Sequence, residues 1–411
     1  MTHPQDFNFT DPEVQECPFP FYASMRDEAP VYQVPGLGIY IVSRYEDIMT
    51  ALKEPLLFSS KLGFLAREIP ASVQKVYDDA GLGEEVPTLV SNDPPEHTRY
   101  RDLVDRAFTA KRVAGMEGYM LEVINETIDA FINDGEAEMV SQFAVPIPMK
   151  IIADQLGCSR DDMADFKRWS DSAVEPLGML LTEERHVACA KDVVEFERYF
   201  LERIRDRRKN RTDDMLSDLV YATEGEEKEL DDRELLSISR QFLVAGNETT
   251  TNTIASAIWL LIQNSDQVDV LLKNPELFGR LAEEALRFES PVQGLFRMAT
   301  EDTELGGTKI PKGSTVNLRY GSGNRDECVF KNADKFDVQR TDARRHLAFG
   351  GGIHLCIGQA LARQEIKFAM KILLERIENM RFADPNFEVE HHPSMILRGI
   401  KKLPIKFDIR K

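Results

Sequence analysis

The run Phe349-Gly350-Gly351-Gly352-Ile353-His354-Leu355-Cys356-Ile357-Gly358 closes a coil and leads straight into the apolar-periodic segment 359–376. Backbone amides around a cysteine at a helix N-terminus can donate to its sulfur, which favours the thiolate and lowers the pKa. A thiolate held in this way is a strong ligand for haem iron. Other chemistries compete for the same residues. A phosphate cradle needs Gly-Lys-Ser/Thr or Gly-x-Gly-x-x-Gly spacing, and Gly350–Gly352 satisfies neither. A zinc centre needs a second Cys or His pair at short spacing, and His354 with Cys356 has none nearby. A Cys–His nucleophile stays open.

Beyond this loop, composition narrows the class. The 411 residues carry 51 Lys+Arg against 70 Asp+Glu, a formal net charge of −19. So acidic a balance argues against nucleic acid, whose binding needs an excess of Lys and Arg. Hydrophobic residues at 42% are enough for a sizeable core. An odd, widely spaced set of cysteines (Cys17, Cys158, Cys189, Cys328, Cys356) and the absence of a basic-then-apolar pattern in residues 1–11 point to a reduced, cytoplasmic protein. The most apolar long stretch, 241–265, carries Glu248 and a Thr/Asn cluster at its middle, so it reads as a buried helix rather than a membrane span.

No linker, low-complexity tract or repeat divides the chain, which predicts one domain over 1–411. Val31–Val34, a Pro35-Gly36 turn and Ile39–Val42 read as a hairpin, followed by a helix to Leu52 capped by Ser43. Spacing of three and four predicts helices over 116–133, 149–156, 182–210 and 230–264, and Asn274-Pro275 opens another that stops before Pro291. Short strands are expected at 308–310 and 315–319, a coil over 321–349, a helix after Cys356 and a strand-rich tail at 403–409. The expected class is mainly α with small β-sheets (α+β), the β-rich lobe near both termini and a helical lobe over about 99–290 and 357–380.

Between Arg240 and Asp266 the only ionisable side chain is Glu248, and a buried carboxylate in an apolar helix is costly unless solvated or functional. Gly246 and Thr249, three apart, share a helix face. The plain alternatives are that Gly246 serves close packing and that Thr249 bonds back to a carbonyl four residues earlier. Glu284 and Arg287, also three apart, would ordinarily be a solvated pair of little worth.

The spacing Phe349-x-x-Gly352-x-His354-x-Cys356-x-Gly358 resembles the haem-binding signature of the cytochrome P450 superfamily, the haem-thiolate monooxygenases. Arg345-His346-Leu347-Ala348-Phe349-Gly350 resembles its soluble bacterial branch, and four further segments occur in the family's order, so the resemblance covers nearly the whole chain. It implies the cytochrome P450 fold, with haem b (iron protoporphyrin IX) between the long central helix and the cysteine-loop helix. Cys356 would be the axial iron ligand, Phe349 would pack near its sulfur, and Gly350 and Gly358 would belong to the same loop. Ala245-Gly246-Asn247-Glu248-Thr249 resembles the oxygen-activation segment, in which Glu248 and Thr249 would deliver protons and Ala245 and Gly246 would leave room for dioxygen. His97 and Arg101, in Asp93–Arg101, together with Arg297 and His354, match the family's propionate contacts. Glu284 and Arg287 resemble the structural Glu-x-x-Arg pair, whose third member would be Arg340 or Lys335.

By the same resemblance the distal pocket would be lined by Phe64, Leu65, Leu89, Val90, Leu177, Leu180, Leu243, Val292, Gln293, Leu295, Phe296, Met395 and Ile396. That lining suits a small apolar substrate, terpenoid or steroid-like before fatty acid before aromatic, and Arg67 could reach a carboxylate. The expected activity is insertion of one oxygen atom of O2 into a C–H bond. A peroxide-driven peroxygenase is a rival, disfavoured by the Glu248-Thr249 pair; a non-catalytic haem protein is another. The mapped segments leave no room for a fused redox domain, so electrons from NAD(P)H are expected through a separate acidic ferredoxin and its reductase. That partner would dock on Arg344, Arg345, Arg363, Lys367 and Lys371, set against Asp342 and Glu365, with Arg106, Lys111 and Arg112 adding to the face. A monomer without membrane or nucleic-acid partners is expected.

Overall fold

Asp231 starts the longest helix, Asp232–Gln263, with a capping box: its carboxylate accepts from the amides of Arg233 and Glu234, and Glu234 reaches back to the Asp231 amide. The computed structural model describes all residues except 1–2, 62–68, 83–85, 179–180, 224–228 and 411. Residues 254–261 of this helix are almost all apolar and buried, because neighbours cover it on several sides: Pro146–Gln155, Met163–Val174, Glu183–Arg207, Phe278–Phe288 and Gln359–Arg376 all pack on it. Ile254, Ile258 and Leu261 meet Leu281 and Leu373 in the largest apolar cluster. Truncating Ile258 to Ala there should cost about 2–5 kcal/mol. Among the described residues no helix is long and apolar enough to cross a membrane.

Among the described residues ten short strands flank this mainly helical body. β1 (Val31–Gln33) pairs antiparallel with β2 (Ile39–Val42), Val31 opposite Val42, as the hairpin pattern predicts. With β3 (Phe58–Ser59), β5 (Leu295–Ala299) and β8 (Thr315–Leu318) they form a sheet in the order β1-β2-β8-β5-β3. β4 (Glu136–Glu138), β10 (Pro404–Ile409) and β9 (Ile377–Phe382) make a second sheet, and β6 (Thr303–Leu305) with β7 (Thr308–Ile310) a two-stranded ribbon.

Ser43 does not cap the following helix. Its hydroxyl donates to Pro30 O at 3.0 Å, tying the hairpin to the preceding segment, and the helix Tyr45–Lys53 starts after Arg44 without a side-chain cap. The expected helix over 274–288 is a short 3-10 turn, Pro275–Leu277, followed by the α-helix Phe278–Phe288.

Candidate functional site

The cysteine loop owes its shape to two glycines in the left-handed region, Gly350 (φ +66°) and Gly352 (φ +63°). A Cβ on Gly352 would lie 2.2 Å from Leu52 O, so no other residue fits there without moving that backbone. The Cys356 amide donates to Phe349 O at 2.9 Å, closing the loop, and the helix Gln359–Arg376 begins behind it. The Arg363 guanidinium lies 4.5 Å over the Phe349 ring.

Burial raises the proton affinity of the Cys356 thiol, and the amides of Gly358 and Gln359, with Arg101 and Arg363, pull the other way. The amides anticipated from the sequence are therefore present, but desolvation outweighs them, contrary to the expected lowering. Such a sulfur is held as a thiolate by a coordinated metal ion, which deprotonates a thiol outright.

Beneath the loop lies a frame of buried charge. Arg287, fully buried, donates to both Glu284 oxygens at 2.7 and 2.9 Å and to the carbonyls of Asn324 and Ala333. Arg340 Nε completes the cluster on Glu284 at 3.1 Å, while Lys335 offers only its carbonyl, so Arg340 is the third member. Glu283, the preceding residue, accepts from Arg363 at 2.8 Å, Arg344 at 3.2 Å and His346 at 3.0 Å, and these partners overcome its burial to hold the carboxyl down at about 2.

Cys356 opens onto a cavity of about 230 Å³. Four donors share its wall. His354 and His97 rings meet at 4.3 Å; His354 Nε2 lies 2.9 Å from Ser60 Oγ, and burial, with Arg297, His97 and Arg101 nearby, drives its pKa down to about 3. Arg101 donates to Asp105 and, at 2.6 Å, to Leu355 O. Arg297, 6% exposed, donates to Phe296 O and shares the Tyr320 hydroxyl; among the described residues it has no carboxylate partner. A buried guanidinium without an anion is costly. A flat macrocycle bearing two carboxylates, with iron against Cys356, would satisfy this set, so the residues present fit haem.

The opposite wall is a helical stripe. Phe242, Ala245, Gly246, Thr249, Thr250 and Thr253, spaced by three and four, line the cavity. Leu243 lies off that stripe and is buried in an apolar cluster instead, so its expected place in the pocket is incorrect. Thr249 Oγ1 donates to Ala245 O at 2.7 Å, the back-bonded alternative, and still lines the cavity. A Cβ on Gly246 would meet Ile152 at 3.2 Å, so close packing explains part of that glycine. Glu248 sits one position away from the stripe: it is half-buried and accepts from Asn252 at 3.3 Å, and burial followed by Asp171 raises its proton affinity.

Of the other expected lining residues, Leu89, Val90, Leu177, Val292, Leu295 and Ile396 are in the wall. Phe296 and Met395 are not. Along β5 the side chains alternate, so Leu295 and Arg297 face the cavity and Phe296 packs behind the sheet, where Met395 joins it. Gln293 also turns away, its Oε1 accepting from Tyr22 at 2.8 Å and its amide donating to Ser290 O. Phe64, Leu65, Arg67 and Leu180 lie outside the described residues.

Several lining residues escaped the sequence, Phe242, Thr250 and Thr253 among them. Glu365, counted there as a surface charge, is 2% exposed and lines the cavity beside the Thr250 hydroxyl; burial pushes its pKa up to about 8. The signal was its spacing of four from the buried Leu361 and Ala369 on one helix face. Leu397, lining the cavity next to Ile396, carried no signal at all.

The chain matches the family model described as Cytochrome P450 over residues 67–407. It is 34% identical over 392 residues to "Cytochrome P450 107B1" of Saccharopolyspora erythraea, covering 94% of each chain. It is 32% identical to "Steroid C26-monooxygenase" of Mycobacterium tuberculosis, with 96% of this chain and 97% of that protein aligned. Among solved structures, CYP109E1 from Bacillus megaterium in complex with corticosterone superposes with a TM-score of 0.83 at 33% identity, covering 96% of this chain and 99% of that one.

Proposed function

The chain belongs to the cytochrome P450 family and is a haem-dependent monooxygenase; from that premise we propose that it hydroxylates an apolar substrate of steroid or terpenoid size, with fatty acids and aromatics next in order. The observation that carries this reading is the distal wall. Leu89, Val90, Phe242, Val292, Leu295 and Ile396 present only carbon to the cavity. The one amide among them, Gln241, is already engaged by Thr88 Oγ1 at 2.6 Å and the Val90 amide at 3.2 Å. A distal wall that offers no free polar anchor among the described residues selects by shape and desolvation, at roughly 25 cal/mol per Å² of apolar surface buried. The relative with corticosterone bound and the relative named a steroid monooxygenase point the same way.

Bound haem supplies the activation of dioxygen, one atom going to the substrate and the other leaving as water. The chain's own residues divide the remaining tasks. Cys356 Sγ would hold the iron, and His97, Arg101, Arg297 and His354 would hold the propionates in an otherwise apolar site. Thr249 Oγ1, with its proton given to Ala245 O, keeps lone pairs free to accept from a proton-bearing group in the cavity. Glu248, whose burial favours the protonated acid, holds a proton at the carboxyl on the neighbouring helix stripe and would pass it toward the cavity. The apolar part of the wall limits other water, and this helix stripe offers a route for protons into the cavity.

We assign electron delivery to a separate ferredoxin and reductase using NAD(P)H. The supporting surface is more modest than the sequence suggests, since Arg344 and Arg363 share Glu283, Arg112 pairs with Asp218, and Lys371 lies 3.8 Å from Glu375. Arg344 is nonetheless 77% exposed beside the loop and open to a partner. Aerobic turnover of a neutral steroid probe with NADH, ferredoxin and reductase is expected to give a monohydroxylated product. A ligand-bound spectrum without product, or haem spin-state changes only with polar, multiply charged molecules, would overturn the reading.

A further inference from the structure

Behind the substrate-facing wall lies a second cavity of about 10 Å³, at the lower limit for one particle the size of a water molecule. Phe9 and Tyr22 of the N-terminal segment, Arg319 after β8, and His391 and Arg398 of the tail line it. Leu397 lines both cavities.

Arg319 is 2% exposed. Its Nη1 donates to Met395 O at 2.6 Å and its guanidinium lies 4.8 Å over Phe9 and 5.4 Å over Tyr22, but its Nε is buried without a hydrogen-bond partner. Each other cation of the cluster has a carboxylate: Arg398 has Glu289 at 2.6 Å, Arg325 has Glu289 and the exposed Asp334, and His391 has Glu16. Arg319 has none among the described residues. Two aromatic faces offset only part of the cost of burying an uncompensated charge.

His391, 5% exposed, supplies a second unsatisfied group. Its Nδ1 lies 2.6 Å from Glu16 Oε1, and since an ionised carboxylate can only accept, Nδ1 carries the hydrogen. Nε2 is buried without a partner; it is an acceptor on the neutral ring and a donor on the protonated one.

We propose that this cavity binds one small monovalent anion, of chloride or bromide size, together with a proton on His391. The Glu16 carboxylate, the His391 imidazolium, the anion and the Arg319 guanidinium then alternate in sign, and both orphan nitrogens become donors to the anion. The groups facing His391 are Glu16 from the N-terminal helix, Arg398 and His392 from the tail, Glu289 at the end of the Phe278–Phe288 helix, Arg319 after β8 and the Trp259 ring of the central helix. Without the anion, burial and Arg398 disfavour the charged ring; the anion adds the negative charge that reverses this. A single water would also satisfy both nitrogens but would leave the Arg319 charge uncompensated, which makes it the competing occupant.

Crystals of the haem-loaded protein soaked in sodium bromide at pH 6 are expected to show one internal anomalous peak between Arg319 and His391. In solution, bromide in place of gluconate at equal ionic strength should raise Tm, with apparent affinity improving about tenfold per pH unit lowered, as one-proton coupling requires. His391→Gln should abolish the pH dependence and Arg319→Met the bromide response itself; if Arg319→Met does not fold, His391→Gln carries the test alone. No peak at this position, equal Tm in the two salts, or an unchanged pH dependence in His391→Gln overturns the proposal.

Discussion

Buried carboxyl groups meet opposite surroundings in two regions of this molecule. On the Phe278–Phe288 helix, beneath the cysteine loop, Glu283 is clasped by Arg344 and Arg363, and Glu284 by Arg287 of its own helix and by Arg340. Beside the cavity, Glu248, one position off the lining stripe, is hydrogen-bonded by the amide of Asn252, and Glu365 on the wall faces a threonine hydroxyl; burial pushes both toward the neutral acid. The same chemical group thus serves as a fixed charge where arginine meets it and as a proton store where nothing cationic bonds to it. In the first region it fastens the coil that carries the cysteine. In the second, under the proposed function, Glu248 would supply protons to the pocket.

The comparison breaks most severely if the compensated region tolerates loss of its charge. Glu284→Ala strands Arg287 and Arg340, and is expected to cost about 3–5 kcal/mol, a large share of a typical 5–15 kcal/mol stability; the urea midpoint and haem yield of the purified variant measure it. Next in size is Glu248→Gln, which removes an acid without changing shape. Turnover should drop roughly 10²-fold with a larger solvent isotope effect, while substrate-induced spectral changes persist. Thr249→Ala should keep haem, substrate binding and NADH consumption but lower the fraction of NADH recovered as hydroxylated product by roughly tenfold, peroxide making up the difference. Full coupling in that variant would reduce Thr249 to a helix-packing residue.

The smallest effect sharpens the comparison through pH. Glu365 titrates at about 8 in the folded chain against an ordinary 4.5, so the folded state keeps a proton that the unfolded state has released over that window. Its contribution is therefore fully present below about 4.5 and is lost as pH rises toward 8. Glu365→Gln should flatten the fall in Tm between those values by a few degrees and leave Tm at pH 5 unchanged. An unaltered slope would mean that Glu365 is ionised in the fold.

Much of the site was legible because its chemistry is local. Cys356 and its glycines, the Thr249 segment and the Glu284–Arg287 pair each sit in a short stretch that resembles a segment of the family, and the resemblance rather than the spacing alone gave their roles. The misplacements share one cause: which face of an element points inward depends on what packs against it. Leu243 was counted with Thr249 although 100° per residue puts it on another stripe, and Phe296 with Leu295 although a strand sends neighbours to opposite sides. Glu365 was read as a surface charge although its spacing of four from Leu361 and Ala369 put it on the helix face that the central helix covers. Arg340 could be chosen over Lys335 only once both were seen against Glu284.

The central claim, that Cys356 presents its sulfur to iron in this cavity, is tested most directly by the absorption spectrum of the reduced carbon-monoxide complex. The native protein should show the red-shifted band of thiolate ligation, and Cys356→His, if it retains haem, should lose it. Persistence of that band in Cys356→His, or its absence from the haem-loaded native protein, would contradict the account.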